Sequence, residues 1–310
     1  MTTVQARAVR FDEYGDRDVL HVVDVPMPVP ADGEVLVEIR AAAVNPGEIS
    51  IRSGAVRDRF PATFPSGQGS DLAGVVVRLG AEVTDFVVGE EVLGYSWTRS
   101  SHATHASVPA SQLIHKPAEL SWPVAGSLYV VGCTAWAAVN AVDPRPGETV
   151  AVAAAAGGVG TVVVQLLAAR GVRVLGIASA ANEHWLAEHG AVWIPYGENL
   201  AQNLTAAAPD GINAFIDLFG PDYLRLAVDL GIPLDRIETI ISFEEAAKLG
   251  TKSAGSADSS NREVLTEMAG HVAAGRIEIP IAATYPLEDV RDAYAQLEQR
   301  HTRGKIVLIP

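Results

Sequence analysis

The sequence predicts an α/β protein in two parts, a compact barrel-like β domain followed by a doubly wound parallel sheet. Three observations carry this. Up to about Leu120, short alternating or apolar runs follow one another closely and are punctuated by Gly and Pro. From Thr149 onward, β-branched runs alternate with helical patterns. Between these two textures, Thr149-Val-Ala-Val-Ala-Ala-Ala-Ala-Gly-Gly-Val-Gly160 leads a strand into a small-residue turn, and an amphipathic helix leaves it.

In the first part, Val35–Ile39 alternates and Gly74–Leu79 is a short apolar run. Asp85–Leu93 and Ala103–Val108 read as further strand-rich pieces. Gly126 to Val142 has helical composition. In the second part Val172–Ile177 is the next strand, Asn182 to His189 a helix ending at Gly190, and Asn213–Asp217 another strand. Thr251 to Ser260 is a small, polar loop of the kind that connects elements and also covers sites. Leu287 to Gln299 reads as a helix with Val290, Tyr294 and Leu297 on one face, and Lys305–Ile309 as a last strand returning to the border of the β domain. The expected domains are therefore residues 1–120, with a return segment at about 285–310, and residues 121–284.

Composition narrows the class. At 310 residues, 48% hydrophobic and 19% charged, the chain suits a globular protein of two domains. A net charge of −14 with no basic block argues against a nucleic-acid partner. The run from Thr149 to Ala169 is uncharged and long enough for a bilayer, but its Gly-Gly pair interrupts it and no second span exists, so no membrane partner is expected. The first ten residues hold no apolar h-region, so no leader is expected. Cys133 is the only cysteine, which excludes an intrachain disulfide and suits the cytoplasm.

The glycine turn carries the functional signal. Against Gly-x-Gly-x-x-Gly, the three positions hold Ala155, Gly157 and Gly160. Such a strand–turn–helix aims backbone N–H groups at a pyrophosphate, which predicts a dinucleotide held by Ala156, Gly157, Gly158, Val159 and Gly160. An NAD site places Asp or Glu about 20 residues further on, at the end of the second strand. Here that place holds Ile177-Ala178-Ser179, so a 2′-phosphate has room and NADPH is favoured.

The chain resembles the zinc-independent medium-chain dehydrogenase/reductases, in their quinone oxidoreductase-like branch. The resemblance rests on Val44-Asn-Pro-Gly-Glu48, Ile51-Arg-Ser-Gly54, Gly69-Ser-Asp-Leu-Ala-Gly-Val-Val76, Gly132-Cys-Thr-Ala-Trp136, the Ala-rich glycine turn, Ile194-Pro-Tyr196 and Gly304-Lys-Ile-Val-Leu308. It implies a GroES-like β domain, a Rossmann domain, a cleft between them and a homodimer. It also implies Thr134 beside the nicotinamide ribose, Ser179 and Tyr196 near the adenosine phosphate, and Arg300 directed at the 2′-phosphate. Asn45 stands where the family has an active-site amide and is the candidate catalytic group. Ser50, Arg52 and Tyr129 are candidates for the substrate side. Two departures stand out. Ala181 and Asn182 replace cations found in relatives, which keeps NADH open as cofactor. Ser50 replaces an active-site tyrosine of some quinone reductases.

Zinc chemistry is not expected. One cysteine cannot build a four-thiolate lobe, and Ser70 stands where zinc-dependent relatives have a ligand histidine. His102 and His105, three apart in an expected strand, should face opposite sides. Without a Lewis acid, reduction of a conjugated acceptor suits the chain better than alcohol oxidation, because an enolate needs only hydrogen-bond donors. The expected activity is NADPH-dependent hydride transfer to a quinone or α,β-unsaturated carbonyl. No pattern names the proton donor, so protonation by solvent stays open. Alternatives are a tailoring enoyl reductase acting on a carrier-bound substrate and, given Ser50, a non-catalytic NADPH-binding sensor or interaction protein.

Overall fold

A computed structural model describes residues 5–310. Residues 1–4, which open the stretch considered as a leader, lie outside the described residues. The chain forms two compact units. One holds the residues up to Val130 with Asn261–Ala273 and Ile281–Pro310, and the other holds Val131–Ser260 with Ala274–Pro280. The division falls ten residues later than the expected 120/121. A long-range bond accompanies this: the Val130 N–H donates to a carboxylate oxygen of Asp71 at 2.8 Å, which fixes the start of the helix Leu128–Ala141 within the β unit.

The β unit is built from antiparallel pairs, apart from the parallel pair of Ile281–Pro286 with Lys305–Ile309. Gln5–Phe11 pairs with His21–Pro26 and with Ser66–Gly67. A seven-stranded sheet runs Ile281–Pro286, Lys305–Ile309, Glu34–Ala43, Asp71–Leu79, Glu91–Tyr95 and Leu113–His115, with His105–Pro109 also on Glu34–Ala43. Its core is the inward set of Val35, Val37, Ile39, Leu72, Val76, Phe86, Val92, Val108 and Leu113. Alternation along Val35–Ile39 produces this face directly. The last strand returns to Glu34–Ala43 as expected. Asp85–Leu93 is only partly a strand. The Glu90 carboxylate accepts the Val87 N–H at 2.8 Å, and Gly89 is left-handed (φ 97°), so a turn precedes Glu91. The helix expected over Leu287 to Gln299 begins as a 3₁₀ turn and is α-helical over Val290–Glu298, with Val290 and Tyr294 buried.

The second unit is a five-stranded, all-parallel sheet in the order Ala191–Pro195, Arg173–Ala178, Thr149–Ala153, Ala214–Asp217, Ile237–Thr239. All five residues of the first strand, Thr149–Ala153, are buried, as a central parallel strand requires. Ala151, Ala153, Leu175, Ile177, Phe215, Leu224 and Ile237 form one core cluster. Each large apolar side chain buried there stabilises by roughly 1.5–3 kcal/mol, more than helix propensity supplies per residue. The order reverses beside Thr149–Ala153, whose chain neighbours lie on one side and whose partner Ala214–Asp217 lies on the other. Open α/β sheets bind ligands outside the carboxyl ends of strands at such a reversal. Among the described residues, no helix is long and apolar enough to cross a membrane.

Candidate functional site

The glycine turn occupies that reversal. Ala154 leaves the first strand with φ 51°, a left-handed conformation that costs an alanine about 1–2 kcal/mol. The Gly157 N–H then donates to the Ala154 carbonyl at 2.9 Å, closing the turn. The helix Gly158–Ala169 follows, and its first intrahelical bond is the Thr161 N–H to the Gly157 carbonyl at 2.9 Å. The N–H groups of Gly158, Val159 and Gly160 precede that bond, so they have no acceptor within the helix and point out of its N-terminal end. Gly160 permits the close approach of helix and turn: a Cβ there would lie 2.2 Å from the Ala154 carbonyl oxygen and 2.7 Å from the Ala155 carbonyl carbon. These two features, outward N–H groups and a helix held tight against the turn, fit a pyrophosphate. The buried Ala155 and Ala156 carry no group that would repel it.

The second strand ends at buried Ala178, followed by half-buried Ser179 and the exposed Ala180 and Ala181. No carboxylate stands at this strand end. Asn182, in the place of a relative's cation, donates its amide to Ser179 Oγ at 3.0 Å. A hydroxyl that accepts there still has its proton to donate. Tyr196 follows Ala191–Pro195 and is 54% exposed. Thr134 lies buried on the helix Leu128–Ala141. Arg300 belongs to the other compact unit, where it is exposed and left-handed (φ 56°) at the end of the helix Val290–Glu298.

Sequence reasoning missed Asp217, at the carboxyl end of the strand beside the reversal. One oxygen accepts the N–H groups of Phe219 and Gly220, both at 2.9 Å. The other accepts the hydroxyls of Thr239 (2.7 Å) and Ser242 (3.2 Å). Burial pushes its carboxyl up, and these four donors oppose the shift. The signal was present as an Asp followed by Gly three residues later, an Asx-turn pattern.

In the β unit the expected substrate-side residues take other roles. Asn45 is buried and its amide is committed on every side. Nδ2 donates to Asp71 (2.9 Å), Glu48 (3.2 Å) and the Ala43 carbonyl (3.4 Å), and Oδ1 accepts from Lys305. At the start of the helix Pro46–Arg52 the Asn45 N–H donates to the Glu48 carboxylate at 2.9 Å, and the Glu48 N–H to the Asn45 carbonyl at 3.1 Å. The expectation that Asn45 offers a polar group to substrate is revised: in this structure its polar atoms serve the buried network. Arg52 is corrected likewise. Its side chain is fully buried, its guanidinium lies 4.8 Å over the Tyr294 ring, and it pairs with Glu298 at 3.2 Å. These contacts tie the first helix to Tyr294 and Glu298 within the unit. Tyr129 is buried and stacked on Tyr95 at 4.2 Å, which makes it a core aromatic. Ser50 stays half-buried on the first helix.

The network continues through Tyr294, whose hydroxyl donates to Glu48 at 2.7 Å and accepts from Gln68 at 2.8 Å. Lys305 Nζ lies 3.8 Å from Asp71 and donates to the Val44 carbonyl at 3.2 Å. Burial pushes Asp71 up and Lys305 down, and each partner's charge opposes the other's shift. Of the two histidines, only His105 lies in a strand. His102 is buried outside it, with Nε2 3.1 Å from the Ala43 carbonyl.

Residues 31–118 match the family described as "Alcohol dehydrogenase GroES-like domain", and residues 197–308 match "Zinc-binding dehydrogenase". The chain is 30% identical to the quinone oxidoreductase of Mus musculus, over 98% of this chain and 97% of that one. It is 28% identical to the human mitochondrial NAD(P)H oxidoreductase, over 96% of this chain and 87% of that one. The solved quinone oxidoreductase of Coxiella burnetii superposes with a TM-score of 0.88 at 28% identity, over 99% and 100% of the two chains. A GroES-like β unit and a parallel dinucleotide-type sheet with a glycine turn at its reversal define a medium-chain dehydrogenase/reductase. The chain belongs to that family, in its quinone oxidoreductase branch.

Proposed function

We propose that the protein is an NADPH-dependent oxidoreductase that reduces a quinone or an α,β-unsaturated carbonyl without zinc. The observation that carries the reading is the glycine turn at the sheet reversal, with outward N–H groups beside a strand end that lacks a carboxylate. Gly158, Val159 and Gly160 would hold the pyrophosphate, and Ser179 and Tyr196 would serve the 2′-phosphate end. Thr134 would serve the nicotinamide ribose. When bound, the nicotinamide supplies hydride. The relatives' names, quinone oxidoreductase and NAD(P)H oxidoreductase, support both the cofactor class and the reaction type.

Zinc independence is supported by the donor chemistry. Ser70 has no imidazole to offer, and its N–H is taken up by Glu48 at 2.9 Å. His102 is engaged with the Ala43 carbonyl, and Cys133 is buried. Residues 197–308, matched to the family whose description mentions zinc, contain no cysteine. A small-molecule acceptor, a homodimer and residence in the cytoplasm complete the reading. The buried lone thiol is consistent with a reducing compartment.

The test is NADPH oxidation by purified protein against a panel of quinones and enones, with and without a zinc chelator. Turnover that persists with chelator supports the reading. Loss of all turnover on chelation overturns the zinc-free part, and failure on every acceptor overturns the activity.

A further inference from the structure

The parallel-sheet unit holds a second buried carboxylate that the reading above does not use. Glu238 sits in the middle of the edge strand Ile237–Thr239 and is fully buried. One of its oxygens accepts the Ala254 N–H at 2.5 Å, and the other has no hydrogen-bond partner. Ala254 belongs to the polar loop from Thr251 to Ser260, which begins alongside the strand. Lys252 bridges Glu238 in parallel register, its N–H donating to the Ile237 carbonyl at 2.9 Å. The loop then folds back as a short 3₁₀ turn, Ser256–Ser259, capped by Asp258 on the Gly255 N–H at 2.8 Å. Thr251 Oγ1 is buried beside this start, also without a partner.

A buried carboxylate with one lone acceptor bond is costly, whereas a protonated carboxyl in the same place loses far less. We propose that Glu238 is a proton-controlled latch: protonated, it holds the loop from Thr251 to Ser260 through Ala254, and ionised, it releases the loop. The loop runs parallel to the strand from Lys252 and leaves the sheet past the strand's carboxyl end, the edge on which such sheets take ligands. The latch lies wholly within the parallel-sheet unit and works the same way whichever acceptor is reduced.

Burial sets the direction. Burial pushes the Glu238 carboxyl up to about 8; the Ala254 N–H and Lys252 oppose this, while Asp258 and Asp217 add repulsion. Released into water, the group returns toward its ordinary value of 4.5. A raised folded-state value favours the closed loop at low pH, and that advantage is lost as pH rises. Between these two values each pH unit therefore multiplies the opening equilibrium about tenfold, and above the upper one the effect levels off.

Hydrogen exchange at the Ala254 amide reads this directly. Exchange from an open state is first order in hydroxide, and the latch adds a second proton. A plot of log rate against pH should rise with a slope of about two from roughly pH 5.5 to 7.5 and bend to about one above roughly pH 8.5. Glu238→Gln keeps an oxygen for Ala254 but cannot ionise, so its slope should be about one throughout. The Ala62 N–H, bonded to the Tyr14 hydroxyl at 3.0 Å in the β unit, is the internal control with a slope of about one. Should Glu238→Gln not fold, Asp258→Asn must move the bend to lower pH, since it removes a repelling charge. A slope of one at Ala254 in the parent protein, a slope of two retained by Glu238→Gln, or an unmoved bend in Asp258→Asn would each overturn the latch.

Discussion

Lys305→Met is the sharpest test of how the β unit is held together. In the parent, Nζ bonds the Asn45 side chain and the Val44 carbonyl and lies 3.8 Å from Asp71, all of them buried. Methionine fills a similar volume, so little packing is lost. What is lost is the cation facing Asp71, which among the described residues then keeps the Val130 N–H and the Asn45 amide. Breaking a buried pair in this way costs about 3–5 kcal/mol. For a unit of this size that is a fall in Tm of roughly 6–20 °C. The pH dependence separates charge from packing. Burial already holds Asp71 above the usual carboxylate range, and removing Lys305 pushes it further up. A carboxyl raised in the folded state contributes stability that is lost as pH rises. The deficit of the variant should therefore be smaller at the acid end of the stable range and grow as pH rises. Thermal unfolding followed by circular dichroism over that range is the assay. A Tm within about 3 °C of the parent, or a deficit that is the same at every pH, would refute the reasoning.

Gly160→Val would place a Cβ 2.2 Å from the Ala154 carbonyl oxygen, lifting the helix from the turn; the affinity for NADPH, read by fluorescence titration, should fall more than about tenfold. Asp217→Ala strips two backbone N–H groups and two hydroxyls of their acceptor and should cost about 2–4 kcal/mol in chemical denaturation, whereas Asp217→Asn, which keeps an acceptor oxygen, should cost less than half of that. Tyr129→Phe keeps the stacked ring against Tyr95, so KM for every accepted quinone or enone should stay within about twofold of the parent; a larger rise would return Tyr129 to the substrate side.

Local signals made most of the fold legible. The β-branched run from Thr149, the small residues after it and the helical spacing of Val159, Val162, Val163 and Leu166 specify strand, turn and helix within one short stretch, and the structure forms them there. Ala191–Pro195 and Ile237–Thr239 were not read as strands, because each is short and one carries a charged residue at its centre. The network of the β unit was illegible for a different reason. Asn45 meets Lys305 across 260 positions of sequence, and Tyr294 meets Glu48 across 246. The sequence shows Asn45 before Pro46, but it had no means of showing that Asp71 and Lys305 would claim its amide. Arg52 posed the same difficulty, since an arginine in a polar segment looks exposed until Tyr294 and Glu298 close over it. The domain boundary falls at Val130, which a long-range bond ties to Asp71, and not at the change in composition near Leu120.

The central claim is that the glycine turn and the neutral strand end at Ala178 and Ser179 select a phosphorylated dinucleotide. Parallel titrations with NADPH and NADH at one ionic strength, read by calorimetry, test it most directly. The account predicts that NADPH binds at least about tenfold tighter, with the gap closing as salt rises. Equal affinities, or a preference for NADH, would contradict it.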